Sequence, residues 1–350
     1  MERPRRSHHY PPGRHPLVAG LSHRRVIIVG AGQAGLATAA ALIARGMEPQ
    51  RDFVVIDRSP RAQRAWSERW PSMRLLSNAE HSSFPRRPLE GDPYRHPTPG
   101  DIENYLHRFE AELGVDPVWG VRALTVTRYG TGPTLCLRTT VGEVQTRNIV
   151  CATGAAARPR FPEWAADVEV EGVQMHTNAY RTREQIPHGR VLIVGGGNAG
   201  VEVAFDLANS HDVTLAVRSG GTEVQARRFP THPRFSPWRR RNVAQEPPYD
   251  ALRNRGVRIR DATTGAQGTE FTFSDGSRQT YQSVVFATGY VAGDEWLPTL
   301  PQLQRRIPTV TALPGLFVAG IPTHSHAKAN TLPGVWTDAT RIARFIHARP

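Results

Sequence analysis

Cysteine is nearly missing. Of 350 residues only Cys136 and Cys151 carry a thiol, and they form no Cys-x-x-Cys pair. The dithiol centre of a disulfide reductase is therefore absent, and no Cys/His set has zinc spacing, so no metal site is expected. His324 and His326 lie two apart in a loop and read as solvent or pocket groups, not ligands. Long apolar runs are also lacking. The most apolar helix candidate, Leu36 to Ala44, is about half the roughly 18–20 residues of a membrane span, so a cytoplasmic protein with no membrane partner is expected. Lysine is all but absent, Lys328 being the only one, so arginine carries the net charge of +13, from 44 basic residues against 31 acids. No nucleic-acid motif or aromatic-interleaved basic helix accompanies that charge, which implies anionic cofactors and not nucleic acid. Residues 1–21 hold a single acid, Glu2, among many Arg, His and Pro, with no apolar h-region. They read as a disordered basic arm, not a secretory signal.

What is present begins at Val26. Four apolar β-formers, Val26 to Val29, run into Gly30-Ala31-Gly32-Gln33-Ala34-Gly35, followed by a small-residue helical run that Gly46 stops. In such a strand-turn-helix unit Gly30 permits the sharp turn, Gly32 lets backbone N–H groups approach a pyrophosphate, and Gly35 lets helix and strand pack closely. A second strand, Phe53 to Ile56, ends in Asp57, 22 residues beyond Gly35, where an acid would hold a ribose diol.

The plan recurs. Val191-Leu192-Ile193-Val194-Gly195-Gly196-Gly197-Asn198-Ala199-Gly200 repeats Val26 to Gly35, and the strand after its helix ends in Arg218 instead of an acid. Strands closing in Ala-Thr-Gly appear twice as well, at Thr153-Gly154 and at Thr288-Gly289. Two dinucleotide sites mean two dinucleotides: Asp57 suits FAD, while Arg218 suits the 2′-phosphate of NADPH, with Arg227, Arg228 and Arg239 to Arg241 able to share that role. The fold class is thus α/β with two Rossmann-like dinucleotide-binding domains.

Between these landmarks lies a Pro-rich loop, Phe84 to Gly100, of the length that usually covers a site. A helix follows, with Thr98 as N-cap, Pro99 at its first position, Asp101 three residues on, the apolar stripe Ile102, Tyr105, Leu106, Phe109 and Leu113, and Gly114 as its stop. Ala123 to Arg128, Thr134 to Thr140 and Val144 to Val150 read as a small antiparallel sheet. A strand ending at Gly320 returns the chain to the first domain, and a last helix, from about Pro333 to His347, would present free N–H groups near Leu332 to Val335.

Val170-x-Gly172-x-x-x-His176-x-x-x-Tyr180, just upstream of the second glycine motif, resembles the fingerprint of class B flavin-dependent monooxygenases, Phe-x-Gly-x-x-x-His-x-x-x-Phe/Tyr, with Val170 in place of the opening Phe. The likeness runs from Val26 to the C-terminus and takes in YUCCA-like, N- or S-oxidising and Baeyer-Villiger-related branches, the first two nearer in size. It implies an FAD domain over 22–158 and 286–350, interrupted by an NADPH domain over 159–285. It also implies NADPH reducing FAD, oxygen adding to the flavin C4a as a (hydro)peroxyflavin, and oxygenation of a small organic substrate at N, S or carbonyl carbon. Asn78 resembles the asparagine placed beside the flavin; as the residue before a Pro-rich loop it also reads as a turn former. His176 and Tyr180, grouped with it as catalytic candidates, organise the linker and nicotinamide shelf. Trp66 falls where the family often has Trp after glycines, although Arg64 and Ala65 precede it here. Gly320 completes the FAD set.

Two further readings compete: an NADPH-dependent flavin reductase passing electrons to a partner or quinone, and a flavoprotein redox sensor whose arginine-rich surface meets nucleic acid. The fingerprint at Gly172, His176 and Tyr180 favours oxygenation over the reductase, which does not require it, and only net charge speaks for the sensor, which strong salt-sensitive binding to DNA would favour.

Overall fold

The computed structural model describes Leu21 and residues 24–218, 248–298 and 307–349. The chain divides into two compact units, Met1–Ser67 with Arg74–Arg158 and Val291–Pro350, and Glu68–Met73 with Pro159–Tyr290. In chain order the first unit contains β1 (Val26–Val29), α1 (Gln33–Ile43), β2 (Phe53–Asp57), α2 (Pro99–Glu112), β3 (Val118–Trp119), β4 (Ala123–Arg128), β5 (Leu135–Thr139), β6 (Gly142–Thr146) and β7 (Asn148–Cys151), and β8 (Arg158–Pro159) leads out. The second holds β9 (Gln174–His176), β10 (Arg190–Val194), α3 (Asn198–Leu207), β11 (Asp212–Val217), α4 (Pro248–Arg253), β12 (Arg258–Asp261), β13 (Thr263–Gln267), β14 (Glu270–Phe273), β15 (Arg278–Thr280), β16 (Ser283–Phe286) and the exit strand β17 (Tyr290–Val291). The chain then completes the first unit with β18 (Leu316–Val318) and α5 (Leu332–His347).

Each unit is a five-stranded parallel sheet, ordered β18-β7-β1-β2-β3 in the first and β12-β11-β10-β16-β9 in the second. Successive side chains of a strand point to opposite faces. Val26 and Ile28 therefore enter a core with α1, α2 and α5, whereas Ile27 and Val29 enter another with the antiparallel sheet β4-β5-β6. In the second unit Val191 and Ile193 face α3 and α4, and Leu192 and Val194 face Phe271 and Phe273 of the antiparallel sheet β13-β14-β15. Strands covered on both faces need unbroken apolar runs, and that is what the sequence shows at both glycine motifs.

Four details depart from the sequence expectations. The run Val144 to Val150 is two strands in two sheets, β6 and β7: the Thr146 hydroxyl donates to the Arg24 carbonyl (2.9 Å) and the Asn148 amide to the Arg25 carbonyl (3.2 Å), turning the chain at Arg147. Leu21 is buried with Ile27 and Val29, so the last residue of the expected arm is core; residues 1–20 lie outside the described residues. The second unit continues to Tyr290, because β16 sits between β10 and β9. It also takes in 68–73, whose Trp70 is buried with Tyr180 and Ile186.

Candidate functional site

At the first turn two glycines serve the fold itself. Gly30 has φ +116°, and a Cβ there would stand 2.4 Å from the Ala152 carbonyl oxygen, while one on Gly35 would stand 1.8 Å from the Gly30 oxygen. Gly32 is different: its φ of −80° suits any residue, and a Cβ would meet no atom within 4 Å. The second turn repeats this, with Gly195 at φ +111° (2.5 Å from the Ala287 oxygen), Gly200 at 1.9 Å from the Gly195 oxygen, and Gly197 facing open space.

The helix ends carry the same message. α2 is closed by a capping box, Thr98 with Asp101, and α5 by the Thr331 hydroxyl, which accepts from the Gly334 N–H (3.1 Å). α1 and α3 begin at Gly32 and Gly197 with no side-chain cap and no acid in the first turn. Uncapped N–H groups at the positive end of a helix, over a space that a methyl group would fill, form a cradle for a diphosphate, and both turns fit a dinucleotide on these grounds. The expectation of free N–H groups at α5 is corrected at three of its four residues: Thr331 takes that of Gly334, Pro333 has none, and Val335 bonds the Thr331 carbonyl.

Asp57 closes β2 beside the first turn, its carboxylate accepting from the N–H groups of Ala31 (2.7 Å) and Ser59 (2.8 Å). Arg218 stands exposed just beyond β11; Arg227, Arg228 and Arg239 to Arg241 lie outside the described residues. The two Ala-Thr-Gly ends are tied within their own units: the Thr153 hydroxyl donates to the Gly293 carbonyl, and that of Thr288 to the Arg160 carbonyl. Gly154 (φ +82°) and Gly289 (φ +86°) leave open space where a Cβ would stand. Gly320 is a packing glycine: its N–H is donated to buried Asp338 (3.0 Å), and a Cβ there would stand 2.7 Å from that of Ala34.

The Asn78 carboxamide oxygen accepts from the His81 N–H (3.1 Å) and pairs with His81 Nδ1 (2.7 Å), an Asx-type turn that leaves the Nδ2 donors unspent. Trp66 is half-buried against the α1–α2–α5 core. Arg64 beside it forms a buried ion pair with Glu110 (2.8 Å) and lies 4.6 Å over Trp119, which gives the arginine a packing reason to stand near glycine-preferring positions.

His176 is buried as a neutral imidazole, Nε2–H donating to the Gly289 carbonyl (3.0 Å) and Nδ1 accepting from the Asn178 N–H (3.1 Å); burial holds its pKa below the usual histidine value. Tyr180 is fully buried, its hydroxyl donated to Asp206 (2.6 Å), with burial and that carboxylate pushing its pKa up. Neither is free to carry a proton to a substrate: His176 holds backbone in place, and Tyr180 ties its own segment to the Asp206 carboxylate of α3.

Nothing in the residue order marks Glu202 or Arg69. Glu202 lies in α3, two residues past Gly200, with Oε2 buried and unpartnered, and burial raises its pKa to about 7 against the opposing charge of Arg69. Arg69 donates to the Tyr290 hydroxyl (2.9 Å). Because the folded pKa is raised, the stability that Glu202 contributes is full below its unfolded pKa of about 4.5 and is lost as pH rises through about 7. Glu202→Gln is therefore expected to raise stability by about 2 kcal/mol above pH 7 and to change little at pH 4.5. Melting temperatures across that range check it, and a pH-independent difference would contradict it.

Two glycine turns of one design, each at the carboxyl end of a parallel sheet, define a protein with two dinucleotide-binding units. The chain belongs to the pyridine nucleotide-disulphide oxidoreductase family, whose profile matches residues 27–320; flavin monooxygenases are among the proteins it is similar to. It is 25% identical over 342 residues to an uncharacterised oxidoreductase, CzcO, of Bacillus subtilis, covering 91% of this chain and 97% of that protein. It is 33% identical over 183 residues to the indole-3-pyruvate monooxygenase YUCCA1 of Oryza sativa, covering 52% of this chain and 44% of that protein. The flavin-containing monooxygenase of Stenotrophomonas maltophilia shares the fold, with a TM-score of 0.75 at 22% identity over 92% of this chain and 98% of that one. Among the described residues no helix is long and apolar enough to cross a membrane, and no group of three His, Cys, Asp or Glu could hold a metal.

Proposed function

We propose that this chain is an NADPH-dependent FAD monooxygenase that oxygenates a small organic molecule at nitrogen, sulfur or carbonyl carbon. The observation that carries this reading is the pair of uncapped helix ends over open glycines, Gly32 followed by Asp57 and Gly197 followed by Arg218. The cofactors are FAD and NADPH. The α1 end and Asp57 hold the diphosphate and ribose of FAD; the α3 end, Asn198 and Arg218 hold NADPH. Bound FAD, reduced by NADPH, supplies the activation of dioxygen. The chain's own residues bind, orient and exclude water: the Asn78 amide offers Nδ2 donors, and His176 and Tyr180 fix the backbone around Gly289 and residues 68–73.

The likeness to a monooxygenase of indole-3-pyruvate supports oxygenation over plain electron transfer. The cysteines support it too, because burial pushes the Cys151 thiol up to about 12 and that of Cys136 upward as well, which suits neither to disulfide exchange. Rapid mixing of the NADPH-reduced protein with oxygen tests the reading. A delay before oxidised flavin returns is expected; immediate return with one peroxide per NADPH supports the flavin reductase instead. Arg218→Ala is expected to weaken NADPH by roughly 10- to 100-fold through a lost charge-assisted bond and to leave NADH nearly unchanged, as KM for the two nucleotides would report. Equal weakening of both would remove the 2′-phosphate role.

A further inference from the structure

The Pro-rich loop and the start of α5 enclose a groove of about 460 Å³ within the first unit, next in sequence to Asn78. Its walls include Pro85, Pro88, Pro93 and Pro333 with Phe84 and Tyr94, and Tyr94 is 58% exposed. Proline walls lose little freedom when a ligand arrives, so the cavity is largely pre-formed for an apolar group.

Its charges are the informative part. Around this loop Arg87 pairs with Glu112, Arg95 with Asp101 and Arg108 with Glu90. Two groove residues stand outside that pairing: among the described residues the side chains of Arg86 and Glu80 make no hydrogen bond or ion pair. Arg86 also has φ +63°, a left-handed conformation costly for a residue with a side chain and one that clusters at binding sites. One uncompensated cation and one uncompensated anion on an apolar groove complement a ligand with both charges. A plain anion would meet Glu80, and a plain cation would meet Arg86.

We propose that this groove binds an α-amino acid with an apolar side chain, its carboxylate on Arg86 and its ammonium group by Glu80. The proposal names a substrate class for the activity inferred above and rests on that reading for the chemistry, though not for the binding.

The test titrates the FAD-loaded full-length protein by calorimetry with L-phenylalanine and L-methionine. Their decarboxylated amines (phenethylamine, 3-(methylthio)propylamine) and deaminated acids (3-phenylpropanoate, 4-(methylthio)butanoate) serve as controls. At least one amino acid is expected to bind tenfold or more tightly than both of its analogues. Arg86→Gly should reduce its affinity to that of the amine without lowering the melting temperature, because glycine is at ease at positive φ; Glu80→Gln should reduce it to that of the acid. Equal binding within each series, preference for the acid or amine, no binding at all, or unchanged affinity in Arg86→Gly each overturns the proposal. Flavin reduction by NADPH, followed on the same sample, separates the two failures. Normal reduction without amino-acid binding sinks the groove alone, whereas no reduction sinks the earlier reading.

Discussion

Gly32→Ala is expected to yield a folded, colourless protein. The backbone there has φ −80°, which alanine adopts freely, and the new methyl group would touch no protein atom within 4 Å. The only intrinsic cost is a poorer helix cap, about 0.5–1 kcal/mol. The methyl group would instead occupy the space over the uncapped N–H groups of α1, where a diphosphate has to sit. Loss of two charge-assisted hydrogen bonds at about 1.5–3 kcal/mol each corresponds to a drop in FAD affinity on the order of 100-fold or more. Absorbance at 450 nm per protein after reconstitution, with circular dichroism of the same sample, reads both halves of the claim. A variant that stays yellow and fully loaded would remove the pyrophosphate from this turn. Gly197→Ala should do the same to NADPH while leaving flavin in place.

Three residues further on, the same substitution has the opposite character. A Cβ on Gly35 would lie 1.8 Å from the Gly30 carbonyl oxygen, a backbone atom fixed in turn by the approach of Gly30 to Ala152. No rotamer relieves that contact, so helix and strand have to separate. Gly35→Ala is expected to cost roughly 3–5 kcal/mol, enough to abolish soluble expression or to move the denaturation midpoint far down. Flavin loss in this variant would follow unfolding. Comparing the two alanine variants therefore separates the glycine that serves a ligand from the glycine that serves packing, and equal stability of both would contradict the geometry.

Much of the fold could be read from residue order, because two-sided burial demands it. Val26 to Val29 and Val191 to Val194 are uninterrupted because each strand lies between two cores. Thr98, Pro99 and Asp101 announced the start of α2 because capping is local chemistry. What escaped was non-local. Nothing in the residues next to Trp70 marks it as core, and only the fold reveals it in the second one. Glu202 is one glutamate among several until α3 buries it. Arg86 and Glu80 could not be told from other surface charges until their neighbours were seen paired and they were not. At the site itself, residue types were legible at the glycines, but sequence could not show that Gly32 is spared by the protein and Gly35 is not. Gly320 illustrates the limit, since its carboxylate partner Asp338 lies a full helix turn or more into α5.

The placement of Trp70 bears on how the polypeptide can be cut. Its indole stands edge-on to Tyr180 with ring centres 6.0 Å apart, inside a core whose other fully buried residues run from Tyr180 to Val285. A gene fragment encoding 159–290 alone would lack that indole and leave a hole beside Tyr180. During synthesis six residues made early must wait for more than a hundred later ones before their surroundings exist. Excision, fusion or circular permutation of the second unit therefore requires carrying Glu68–Met73 along.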